Sequence, residues 1–337
     1  MSKTSAEPPS PRTRRSPPSI RHRLSRPMLL ALCLGVAAAA AEPAPPLQPV
    51  VSGTVHEALY GIAAHGEAMI AVGAGGAILE SGDAGRSWKA AAGVPTSLAL
   101  LAVAIADGHA IAVGQVGTVL VMDERGAWIK ADSGTNARLF GVGVNASGRA
   151  VAVGAFGTAV KSEDGGHSWS SIAPDWKSFT ASGEQPHLYG AVVDHAGVIT
   201  VAGEFGLILR STDGGASWKQ LHKGDASLFA IDLHDPAAGF AVGQNGTILR
   251  SVDGGVTWTQ VESGSSAILL GVRAIGSGRV VVTAMRDLLE SRDGGLTWHD
   301  IARGEATTSW YQSMATAPQQ QEVFAVGHSG QIIRVGN

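Results

Sequence analysis

An all-β fold, a seven-bladed β-propeller with four antiparallel strands per blade, is predicted by three features of the sequence. The first is composition: 45 glycines, 45% hydrophobic residues and 16% charged residues in 337 positions favour many tight turns joining short apolar strands. The second is a repeat, Ala-Val-Gly followed three residues later by Gly, whose marker glycine falls at Gly73, Gly114, Gly154, Gly203, Gly243 and Gly327, with Thr283 in the sixth place. Steps of 41, 40, 49, 40, 40 and 44 residues suit one four-stranded blade per copy. The third is the balance at the two ends. The last copy stops after its third strand, while Leu47-Gln48-Pro49-Val50-Val51 precedes the first copy as a spare strand. Added to the seventh blade, it closes the ring and removes two sheet edges.

Residues 1–41 have a different character. Pro and Ser alternate with Arg12, Arg14, Arg15, Arg21, Arg23 and Arg26, and an apolar stretch from Met28 to Ala41 follows. That stretch is short for a bilayer span and ends in small residues, so it reads as a signal peptide cut after Ala41. The long basic start has two readings: translation begins at Met28, or Arg14-Arg15 is a degenerate twin-arginine signal. Cys33, the only cysteine, follows Leu32 rather than a small residue, which speaks against lipid attachment. Without it the exported chain has no disulfide, zinc-thiolate site or thiol nucleophile. Residues 1–41 hold seven of 25 basic and one of 28 acidic residues, leaving 18 against 27 and a formal charge of −9. That balance argues against general nucleic-acid binding. The expected product is exported, periplasmic or extracellular, with residues 42–337 forming one propeller.

Within each copy the strands follow in order. An inner strand such as Leu228-Phe229-Ala230-Ile231 leads to one ending in the marker string, then to one like Thr247-Ile248-Leu249-Arg250, then to one beginning at a tryptophan. The third and fourth are joined by Ser-x-Asp-Gly-Gly-x-Ser/Thr-Trp, as in Ser211 to Trp218 and Ser251 to Trp258. In this Asp-box turn the Ser and Asp side chains accept backbone N–H groups and the glycines supply positive φ. The box recurs with Asp83, Asp164, Asp213, Asp253 and Asp293, and with Trp88, Trp169, Trp218, Trp258 and Trp298 expected to bury their rings between sheets. A carboxylate at one constant turn position is architecture rather than chemistry. The second copy is degenerate, running from Met122 to Trp128.

The string Val-Gly-x-x-Gly-x-Ile-Leu-Arg-Ser-x-Asp-Gly-Gly-x-Ser/Thr-Trp, from Val242 to Trp258 and nearly repeated from Ala202 to Trp218, resembles the photosystem II stability and assembly factor family of seven-bladed propellers. The resemblance covers roughly residues 47–337. It implies a non-catalytic, monomeric helper without cofactor that binds a membrane-protein complex, or an acidic segment of it, through an arginine-rich patch. The particular partner does not transfer with it.

Two candidate partner sites follow. Seven residues after the marker stand Glu80, Val121, Lys161, Arg210, Arg250, Glu290 and Arg334. Lys161, Arg210 and Arg250 make three cations at one radius in neighbouring blades of an acidic protein, and Arg334 adds a fourth. Against this, each could simply pair with the next blade's turn or stack on its tryptophan. The second site is the nine-residue excess between blades 3 and 4, where Trp176 and Phe179 either form an exposed recognition loop or fold back onto the scaffold. Trp310 aligns with Leu139, Leu188 and Leu228 and is expected in the core. Gln115, Glu204, Gln244 and His328 follow the marker and belong on the loops of one face, as a ligand ring or as ordinary solvated groups. The histidines fall at unrelated repeat positions, so no shared metal site is expected.

The competing function is a glycan-binding protein or a sialidase-like glycoside hydrolase. A sialidase needs an arginine triad and a tyrosine nucleophile, whereas Tyr60, Tyr189 and Tyr311 read as inner-strand packing residues. Catalysis is not expected, although fold alone does not decide function.

Overall fold

The computed structural model describes residues 47–235, 238–317 and 322–336. The signal-peptide expectation, with Cys33 and the cut after Ala41, lies outside them. The described residues form seven separate four-stranded antiparallel sheets. Blade 4 is representative: Leu188–Val193 innermost, then Ile199–Gly203, Ile208–Ser211 and Lys219–His222. Blades 1, 2, 3, 5 and 6 begin their inner strands at Leu59, Leu100, Leu139, Leu228 and Leu269. Blade 7 combines Tyr311–Ala317, Glu322–Gly327 and Ile332–Val335 with Leu47–Val51 as its outer strand. The predicted closure is realised, with Leu47 opposite Val335 and Pro49 opposite Ile333.

The first residue of every inner strand is buried, leucine in blades 1 to 6 and Tyr311 in blade 7. By area alone each such side chain contributes about 2 kcal/mol. Toward the axis the strands carry Gly and Ala, because seven backbones converge there: a Cβ on Gly61 would stand 3.0 Å from the Ala102 Cα. The axis itself is a channel of about 690 Å³.

The five repeated turns share one bonding pattern. In blade 4 Ser211 Oγ accepts the Gly215 N–H at 2.8 Å and donates to Asp213 Oδ1 at 2.8 Å. The Asp213 carboxylate in turn accepts the Ser217 N–H at 2.9 Å and its hydroxyl at 2.6 Å. Both glycines have positive φ, 68° and 91°. The second also meets a neighbouring element, since a Cβ on Gly215 would fall 2.6 Å from Ile172, and one on Gly255 2.8 Å from Leu233. The paired glycines therefore answer two demands, a left-handed backbone and close approach to the adjoining layer.

Two alignments differ from expectation. Ala284, not Thr283, faces Leu269 as Gly73 faces Leu59, because the sixth turn is one residue shorter. Tyr311 faces Gly327 as Leu139 faces Gly154, so Tyr311 holds the leucine place and Trp310 stands one residue earlier, beside the channel rather than in the core.

Candidate functional site: the channel mouth and the blade seams

Two of the cations at the third-strand position, Arg210 and Arg250, are directed along the seams between blades. Arg210 Nη2 donates to the Gly254 carbonyl at 2.6 Å and its Nε to Thr200 Oγ1 at 3.1 Å. Arg250 Nε donates to the Gly294 carbonyl at 2.5 Å. Each arginine thus reaches the repeated turn of the following blade. Glu80 makes the corresponding link by accepting the Trp128 Nε1–H at 3.0 Å. Lys161 is shorter and turns to Glu163, 3.4 Å away, which also pairs with Arg149 at 3.1 Å. A cleft of about 270 Å³ remains at that seam. Arg334 pairs with Glu322 at 3.2 Å and with the Gln48 side chain, tying the closing strand. The four cations stand at one register position, as expected, and all four have partners within the chain.

The loop between blades 3 and 4 does not expose both its aromatics. Trp176 is 5% exposed, in a short turn capped by the Asp175 side chain, and Phe179 packs partly buried beside it at 6.4 Å. The reason is steric: Gly157 leaves a space that the Trp176 indole fills. The five box tryptophans are half-buried. Four find a carbonyl for their indole N–H, whereas Trp298 Nε1 is buried without one.

The feature that the sequence reading missed lies at one mouth of the channel. In every blade the ladder between the first two strands slips after its first pair, so the second residue of the inner strand bulges out of register. These bulged residues are Tyr60, Leu101, Phe140, Tyr189, Phe229, Leu270 and Gln312, all partly exposed and all lining the channel. Phe140, Tyr189 and Phe229 touch in sequence at 5.3 and 5.0 Å between ring centres. His187 joins Phe140 at 5.9 Å and Phe156 at 5.1 Å, its Nδ1 accepting the Phe156 N–H. Across the mouth Trp310 stacks on Tyr60 at 6.0 Å. Tyr60 and Tyr189 are therefore mouth residues, and only Tyr311 packs in the core as expected.

The loops after the marker glycine end on this face. Gln115, Glu204 and Gln244 accept the backbone N–H groups of Ala99, His187 and Ser227, so their polar atoms fix the start of their own inner strand. The next residue in each loop is left-handed: Val116 (φ 53°), Phe205 (φ 57°) and Asn245 (φ 54°), with Phe156 (φ 53°) in blade 3. Val116, Phe156 and Phe205 are 59%, 69% and 38% exposed. Burial, then the nearby Glu204 carboxylate, pushes the Tyr189 phenol up to about 12.

No family model and no curated protein matches the chain. Solved structures do match. A structure of YCF48 bound to D1 peptide aligns with TM-score 0.67 and 16% identity, covering 87% of this chain and 96% of that one.

The architecture is shared with YCF48.

YCF48 from Cyanidioschyzon merolae gives TM-score 0.66 at 16% identity over 86% of this chain and 98% of that one. The GH74 xyloglucanase from Xanthomonas campestris gives 0.69 at 16% identity over 87% of this chain but 54% of the longer enzyme. Identities this low show the common propeller and nothing finer.

Proposed function

We propose that this chain is a non-catalytic exported propeller that binds a segment of a membrane-protein partner and assists its assembly or stability. The observation that carries the reading is the match, over 87% of this chain and 96% of the other, with a structure of YCF48 bound to D1 peptide. The bonding of the repeated acids supports it as well. The carboxylates of Asp83, Asp164, Asp213, Asp253 and Asp293 each take donors from their own turn, so the most regular acidic feature holds loops.

The likeness to the xyloglucanase and the exposed rings at the channel mouth favour a second reading, a glycan-binding or glycan-cleaving propeller. An affinity pull-down of the tagged protein from solubilised membranes separates them. Recovery of one integral membrane protein, identified by mass spectrometry and absent from a tag-only control, is the expected result. If no membrane protein is recovered and the protein binds or cleaves xyloglucan, the helper reading fails.

A further inference from the structure

The aromatic side of the channel mouth is more elaborate than a propeller needs. In blade 1 the left-handed turn position is filled by Gly75 and in blade 5 by Asn245, residues suited to that conformation. Blades 2, 3 and 4 place Val116, Phe156 and Phe205 there instead, although bulky side chains are strained at positive φ and those of Val116 and Phe156 stay mostly in solvent. Strained bulky residues in three adjacent blades and on one face are explained by what they present to solvent. Phe156, against His187, extends outward the surface begun by Phe140 and Tyr189.

Two further observations fix the chemistry of the occupant. First, the loop side chains nearest the mouth spend an oxygen each on the backbone: Gln115, Glu204 and Gln244 each accept a backbone N–H at 2.7–3.2 Å. Val116, Phe156 and Phe205 add apolar and aromatic surface on this side, above a channel lined by Gly, Ala, Val and Ile together with a few polar groups. Second, the mouth carries its own cation. Arg138 lines the channel one residue before the buried Leu139 and next to Phe140, is exposed, and forms no ion pair among the described residues. An exposed guanidinium at the edge of an aromatic surface, on a protein otherwise acidic, complements a carboxylate attached to an apolar body.

Resting on the peptide-binding reading above, the geometry points to this mouth as the docking site for an extended polypeptide segment of a partner. Its large apolar side chain sits among Phe140, Phe156 and Tyr189, and a carboxylate within a residue or two of it meets Arg138. The site is distinct from Arg210 and Arg250, which face the repeated turns, and from Lys161 and Arg334, which pair with Glu163 and Glu322. Recognition is by burial of rings and one charge pair, so the segment is apolar and acidic rather than acidic alone.

The test is selection of a phage-displayed random peptide library on the full protein, followed by fluorescence anisotropy with the enriched peptides. Enrichment of sequences joining Phe, Leu, Tyr or Trp to Asp or Glu is expected. Phe156→Asn/Phe205→Asn should weaken their binding by about tenfold or more while leaving the fold intact, since blade 5 already uses Asn at this position. Arg138→Gln should remove the preference for the acidic residue and leave the apolar one. No enrichment, enrichment of basic or wholly polar peptides, or equal binding by the double variant would overturn the proposal. So would xyloglucan oligosaccharide binding that the double variant loses. Membrane-protein capture that survives all three substitutions would sink this site while leaving the broader function standing.

Discussion

Arg210 of blade 4 donates to the Gly254 carbonyl of blade 5 across the seam between them, 2.6 Å from Nη2 to oxygen. One charged hydrogen bond, half shielded from water, joins two sheets that share no strand ladder. Arg210→Ala should lower stability by about 1–2 kcal/mol, seen as a lower melting temperature with unchanged far-ultraviolet circular dichroism. The converse applies at blade 3, where Lys161 turns to Glu163 instead. Lys161→Arg should supply the missing link to the turn at Gly214 and raise stability by about 0.5–1 kcal/mol. A lower melting temperature would show that the pairing with Glu163 matters more.

The two glycines of a repeated turn should respond unequally to the same change. A Cβ on Gly294 comes no nearer than 3.6 Å to a side chain, so Gly294→Ala meets only the cost of positive φ, about 1 kcal/mol. A Cβ on Gly295 overlaps the fully buried Phe240 ring. Gly295→Ala should therefore cost about 3 kcal/mol or more, and chemical denaturation of the two variants reads the difference directly. Equal losses would refute the packing role of the second glycine.

Acid should loosen the turns together. Hydrogen bonds from Ser87, Ser168 and Ser217 hold the Asp83, Asp164 and Asp213 carboxyls down at about 2, against an ordinary 3.8. Asp253 and Asp293 are lowered in the same way by Thr257 and Thr297. A carboxyl depressed in the folded state binds fewer protons than in the unfolded chain between those values. Its stabilisation is present above pH about 4 and is lost as pH falls toward 2. Urea midpoints measured across that interval should fall steeply, and less steeply in Asp83→Asn/Asp164→Asn/Asp213→Asn. A slope unchanged by the triple substitution would place the acid sensitivity elsewhere.

The closing strand should be sensitive on its inward face. Leu47 and Val51 pack partly buried against the cores on the two sides of blade 7. Leu47→Asp/Val51→Asp should cost about 2–3 kcal/mol and increase the rate of proteolysis at both chain ends. A stable variant with protected ends would mean the backbone pairing alone suffices.

Blade number, closure and turn position were legible because each rests on spacing, which a repeat displays openly. The channel mouth was less legible. A bulge after Leu59, Leu139 or Leu188 leaves no mark on composition: Tyr60, Phe140 and Tyr189 look like ordinary alternating strand residues until the ladder slips. The same slip misled the alignment of Trp310, since an aromatic pair, Trp310-Tyr311, offers no sign of which ring replaces the leucine. One signal was available. The residue two beyond the marker reads Gly75, Val116, Phe156, Phe205, Asn245 and Ser329, and bulky side chains within a turn otherwise held by small or polar residues mark an outward purpose. For Trp176 the sequence left open an exposed loop or a return to the scaffold, because the space it fills is the absent side chain of Gly157, distant along the chain.

The pairing of Leu47 with Val335 also sets an order of events in time. During synthesis the strand at 47–51 is made well before its ladder partner at 332–335, so blade 7 waits for the six blades between them. At ~5–20 residues per second that interval is tens of seconds, during which six blades can assemble locally while one apolar strand stays unpaired. Contacts between such distant positions are the slowest to form. Ring closure thus joins the first strand of the propeller to its last, and a nascent ring remains open to chaperones until Ile332–Val335 arrives.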